Sequence, residues 1–164
     1  MPNIYQQSSG ALYHNTDLLG VGYAGHGAGL NNPAMQFVEG VGPLPCGWYT
    51  IGEPFTHPHC GPFSMRLTPD ADTQMNGRAG FLMHGDNADC NHTASDGCIA
   101  IDRAIREGVW NSTDHRLLVV QGPPLAQGSP DGGAPIASRA PQPPPVPSGD
   151  GAAPSPGREG GGNG

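Results

Sequence analysis

Lysine is absent from this chain of 164 residues, and its seven basic side chains, all arginine, face fourteen acidic ones for a formal net charge of -7. No basic run occurs anywhere, which argues against sequence-independent binding to nucleic acid or to anionic lipid. Long apolar runs are missing too: nothing approaches the roughly 20 residues that a membrane helix requires, so no membrane insertion is expected. The start, M-P-N-I-Y-Q-Q-S-S-G, has neither the basic opening nor the apolar core of a secretory signal. The expectation is a soluble protein made in the cytoplasm, which must travel by another route if its substrate lies outside.

Glycine and proline are abundant instead, at 27 and 19 residues. About half of residues 122–164 are one or the other, too little apolar surface to offset the entropy of ordering. That segment is expected to be a disordered tail, leaving residues 1–121 as one domain with a modest core. Four cysteines, Cys46, Cys60, Cys90 and Cys98, leave the redox compartment open. Spacing does not choose a disulfide among the first three.

The folded part reads as mainly β. Ile4 to Gln7 and Ala11 to His14 flank a Ser8-Ser9-Gly10 turn, the pattern of an opening hairpin. Leu18 to Ala24 reads as the next strand, followed by a glycine-rich loop, Tyr23 to Gly29. A phosphate-binding role for that loop lacks the following helix and the P-loop lysine. Asn31-Asn32-Pro33 extends it, with polar side chains available to a cleft. Trp48 to Ile51 has strand composition, with Trp48 and Tyr49 expected in the core. Phe63, Met65 and Leu67 alternate against Ser64, Arg66 and Thr68. Asp102 is placed to cap a short helix over 103–107 that Gly108 weakens or ends. Leu117 to Gln121 closes the fold. Seven or eight strands with one short helix point to a β-sandwich or a partly open barrel.

The chemistry concentrates in F-L-M-H-G-D-N-A-D-C-N-H-T-A-S-D-G-C-I-A-I, residues 81–101. Phe81 to Met83 forms a short apolar strand that delivers His84, and Ile99 to Ile101 forms another that leaves Cys98. A cysteine and a histidine at neighbouring strand ends suit thiol nucleophilic catalysis, which needs the base within hydrogen-bond reach. Gly97 permits a tight turn and frees amides around Cys98 for an oxyanion. Ser95 either bonds the nucleophile loop or satisfies a local turn.

H-G-D at 84–86 paired with S-D-G-C-I at 95–99 resembles the signature of L,D-transpeptidase catalytic domains, and G-P-L-P-C-G-W-Y-T-I is similar to a strand those domains carry upstream. The Gly-Tyr-Ala-Gly loop, Asn31-Asn32-Pro33, and the run A-S-D-G-C-I-x-I-x-R-x-x-R more specifically resemble type VI secretion effectors of that superfamily. Wall-building members usually have His before the Gly-Cys pair and Arg shortly after. Asp96 and Ala100 stand there here, which favours the effector branch.

The resemblance, over about residues 5–121, implies a β-rich fold of the L,D-transpeptidase (YkuD) type acting on peptidoglycan without a cofactor. It implies Cys98 as nucleophile, His84 as base, the Gly85 carbonyl orienting His84, and backbone amides of Asp96, Gly97 and Cys98 around the oxyanion. Tyr23, Asn31, Asn32 and Asp86 are candidates for the substrate cleft, and Arg103 and Arg106 for binding a substrate carboxylate, although a solvated helix face also explains the arginines. The implied reaction releases the terminal D-alanine from a stem tetrapeptide or exchanges it for a D-amino acid acceptor. The implied partners are a cognate immunity protein and a component of the secretion apparatus, with delivery into a target cell's periplasm. Two other classes remain open: an inactive wall-binding module, and a zinc module built on His57, His59 and Cys60 or on Cys90 and His92, neither with C-x-x-C spacing.

Overall fold

A computed structural model of the chain describes residues 1–86 and 95–122. The expected tail, together with Cys90 and His92, lies outside them. The strands are β1 (Asn3–Gln6), β2 (Ala11–His14), β3 (Asp17–Val21), β4 (Tyr23–Ala24), β5 (Gly47–Ile51), β6 (Phe55–His57), β7 (Gly61–Pro69), β8 (Leu82–His84), β9 (Ile99–Ala100) and β10 (Arg116–Val120), with one α-helix, α1 (Arg103–Asn111). Two 3-10 turns, Gly27–Gly29 and Pro33–Met35, lie between β4 and β5.

The strands follow the path β3-β2-β1-β10-β5-β7-β8-β9-β4, with β6 hung on β7. The two ends of this path, β3 and β4, are consecutive in the chain, so the sheet curls into a nearly closed barrel as the mainly β composition predicts. Gly22 makes the corner between them. A Cβ there would lie 2.2 Å from the Ala100 carbonyl oxygen, so only glycine lets β3 pass into β4 so close to β9. The expected single strand over 18–24 is therefore two.

Tyr5, Leu12, Tyr49, Met65, Met83, Ile99 and Leu117 fill the interior. Each is almost completely withdrawn from water, and burial of such side chains contributes about 1.5–3 kcal/mol apiece. Tyr49 is in the core as expected, but Trp48 lies on the outer face with the Arg116 guanidinium over its ring at 5.2 Å. The alternation in β7 also fails at its start. Phe63 takes a left-handed φ of 57° and is only half-buried, and Ser64 and Met65 are both fully buried behind it. Helix α1 runs through Gly108 to Asn111, because its inward side chains, Ile105, Arg106, Val109 and Trp110, are held by tertiary contacts that outweigh one glycine. Asp102 precedes it without a side-chain capping bond.

Candidate active site

Strands β8 and β9 run parallel, with Met83 opposite Ile99 and His84 opposite Ala100. Cys98 immediately precedes β9. Side chains alternate faces along a strand, and Ala100 lies directly across the ladder from His84. The strand pair thus sets the turn that carries Cys98 beside the strand that carries His84.

The ring of His84 is buried, and its Nδ1 lies 2.6 Å from the Gly85 carbonyl oxygen. Burial holds its pKa below the ordinary 6.5, the Gly85 contact works against that, and Arg106 and His57 add to the depression. The ring is therefore neutral at pH 7, with Nε2 unprotonated and available as a base. Burial pushes the Cys98 thiol up to about 11, with the Leu82 amide and Arg78 pulling the other way. Leu82 N–H donates to Sγ at 3.3 Å. Among the described residues no hydrogen bond joins Sγ to His84, and such contacts commonly tighten only when substrate binds. At neutral pH the two groups are thus a protonated thiol and a neutral imidazole.

Ser95 is buried and does three things at once. Its Oγ accepts from the Gly25 and Gly97 amides at 3.1 and 3.0 Å and donates to the Cys98 carbonyl at 2.5 Å. It both bonds the nucleophile loop and satisfies a turn. His26 reinforces it, its Nδ1 lying 3.0 Å from the Ser95 carbonyl oxygen. The glycine-rich loop thus clamps the turn that carries Cys98. Because the Gly97 amide is committed to Ser95, it differs from the other two expected oxyanion donors. The amides of Asp96 and Cys98 have no acceptor among the described residues.

Tyr23 is buried on β4 and donates to Asp86 Oδ1 at 2.5 Å. These two line a crevice of about 160 Å³ with Val21, Ala100 and Asp102. A second crevice, about 210 Å³, lies between Glu39, Arg78, Phe81 and Asp96. A slightly larger one, about 220 Å³, is bounded by Pro2, Trp48, Asp114 and Arg116, and its lining contains neither Cys98 nor His84.

The remaining candidates are anchored in the scaffold. Asn31 Oδ1 accepts from the Ala24 amide, and Asn32 caps the second 3-10 turn through Ala34 N and reaches the Ala28 carbonyl. Arg106 is buried and donates to the carbonyls of Ile101, Pro62 and Phe63. Arg103 is exposed, paired with Glu107 at 2.7 Å. Cys46, Cys60 and Cys98 are free thiols. Among the described residues no three His, Cys, Asp or Glu side chains are arranged to hold a metal. His57 Nδ1 accepts from the His59 and Cys60 amides instead. No described helix is long and apolar enough to cross a membrane.

Arg78 went unread in the sequence. Its partners are backbone carbonyls, which no residue pattern reveals. His26 was hidden likewise inside a glycine-rich loop.

No curated protein and no solved structure matches the chain. The family model of the Tlde1 domain matches residues 20–122, which span β4 and its Asn31-Asn32 loop, His84, Cys98 and the closing strand β10. With well over half of the sequence inside that match, the chain belongs to the Tlde1 domain family, a family of type VI secretion effectors.

Proposed function

We propose that the protein is a cysteine-dependent L,D-carboxypeptidase and L,D-transpeptidase that acts on the stem tetrapeptide of peptidoglycan as an antibacterial effector. The observation that supports this reading is a neutral, carbonyl-oriented His84 at the end of β8, paired with the strand that Cys98 immediately precedes.

Cys98 Sγ attacks the carbonyl carbon of the diaminopimelate residue while His84 Nε2 takes the thiol proton. The tetrahedral oxyanion rests on the Cys98 and Asp96 amides. Loss of one such donor costs about 2.7–4 kcal/mol in other enzymes. Collapse breaks the bond to D-alanine, whose amine receives the proton from His84. The thioester then meets water, giving the tripeptide, or the amine of a D-amino acid, giving exchange. His84 takes the proton of the incoming group and returns it to sulfur. The crevice at Asp86 and Asp102 offers carboxylates to the ammonium groups of stem or acceptor. Family membership supports a secretion apparatus and an immunity protein as partners, with the target cell's periplasm as the place of action.

The reading is tested by acid-quenching the protein with disaccharide tetrapeptide and measuring intact mass. An adduct of the substrate less D-alanine on wild type, absent from Cys98→Ala, is expected. A wall-binding module would hold the muropeptide without ever forming the adduct.

A further inference from the structure

Arg78 is only 6% exposed, yet among the described residues no carboxylate lies within ion-pair distance of it. Its guanidinium donates instead to four backbone carbonyls: Gln36 at 2.6 Å, Pro43 at 2.8 Å, Gly42 at 3.0 Å and Asp96 at 3.0 Å. The first three belong to the segment that leads into β5, and the last belongs to the turn that carries Cys98. The Leu44 amide adds a parallel tie to the Gly97 carbonyl at 2.8 Å. Phe81, at the start of β8, lies under the guanidinium with its centroid at 4.9 Å. Burying a cation is costly unless its donors are met, and here carbonyls of two separate segments meet them beside Cys98.

Gly97 shows how tightly the group is fitted. Its φ is +126°, and a Cβ on it would lie 2.5 Å from Arg78 Nη2 and 2.9 Å from the Phe81 ring. The turn and the guanidinium are therefore in contact, with no room for rearrangement between them.

We propose that Arg78 is a positioning residue of the Cys98 site, binding the Asp96-Gly97-Cys98 turn to the 36–44 segment so that the sulfur and the adjacent amides are fixed in direction and face a permanent positive charge. This rests on the reading of Cys98 as nucleophile. The planar fork matters as much as the charge, because four acceptors lie around one group and an ammonium cannot reach them with the same geometry. The groups facing Cys98 are Arg78, Asp96 and Cys60, and those facing Arg78 are Glu39, Tyr49 and Cys98. Of these, Arg78 is the one that favours the thiolate at sulfur.

The test compares wild type, Arg78→Lys and Arg78→Ala by the pH profile of Cys98 alkylation with iodoacetamide, resolved from Cys60 by peptide mapping, and by the kcat and KM of D-alanine release. Arg78→Ala should move the Cys98 profile to higher pH without moving that of Cys60, and methylguanidinium should restore it where methylammonium does not. Arg78→Lys should keep the profile near wild type but lower kcat on the order of tenfold or more, with KM changing less. A folded Arg78→Ala whose Cys98 profile overlays wild type overturns the proposal. If that variant does not fold, Arg78→Lys decides, and wild-type kcat there overturns it equally. Wild type that leaves muropeptides untouched sinks the peptidoglycan reading alone, since the alkylation profiles still judge Arg78.

Discussion

The Nδ1 of His84 lies 2.6 Å from the carbonyl oxygen of Gly85, its own neighbour in the chain. A carbonyl accepts and never donates, so the neutral ring carries its proton on Nδ1 and presents Nε2 as the base. The H-G pair thereby builds the tautomer into two consecutive residues.

The pH profile follows from the two titrating groups. Burial lowers the His84 pKa below 6.5 and raises the Cys98 thiol to about 11. The acid limb of kcat/KM for D-alanine release should therefore have its midpoint below 6.5, with a plateau through neutrality. A midpoint above 6.5 would contradict the lowered pKa of His84. Stability carries the same signature. The unfolded chain binds a proton at His84 more readily than the folded one, so this contribution is complete above about 6.5 and declines as pH falls toward the folded value.

Ser95→Ala should destabilise the fold and slow turnover together. It leaves the Gly25 and Gly97 amides without their shared acceptor, and a buried unsatisfied donor costs about 1–3 kcal/mol. Urea unfolding reads the first effect and D-alanine release the second. Unchanged stability would mean that both amides find other acceptors.

Gly97→Ala should be worse than an ordinary surface change. The backbone conformation alone costs about 1–3 kcal/mol for a residue with a Cβ, and the added methyl meets Arg78, Phe81 and the Gly42 carbonyl. A variant with wild-type urea midpoint and wild-type Cys98 alkylation would contradict the packing described at this turn.

Tyr5→Phe tests the core from the other direction. The Tyr5 hydroxyl is fully buried without a partner among the described residues. Removing it should leave stability unchanged or raise it. A loss above about 1 kcal/mol would reveal a hydrogen bond to that oxygen.

The site was legible where chemistry and local pattern coincide. Phe81 to His84 and Cys98 to Ile101 are short apolar runs bearing one reactive residue each, which is enough to read two strands whose ends meet, and β8 and β9 do pair. The supports were not legible. Arg78 and His26 act on carbonyl oxygens of residues distant in sequence, and every residue type carries the same carbonyl. Phe63 departs from its alternating pattern through a positive φ that its composition gives no reason to expect, and α1 passes Gly108 because packing overrides propensity. The side chains of Asn31, Asn32 and Arg106 bond backbone carbonyls and amides of loops and strand ends, partners that no residue pattern reveals.

The most direct measurement is to incubate purified wild type and Cys98→Ala with disaccharide tetrapeptide muropeptides, with and without an added D-amino acid, and to follow the products by mass spectrometry. Loss of D-alanine with wild type alone, and a product mass that follows the added amino acid, is the predicted result. Muropeptides unchanged by wild type, or processed equally by Cys98→Ala, would contradict it.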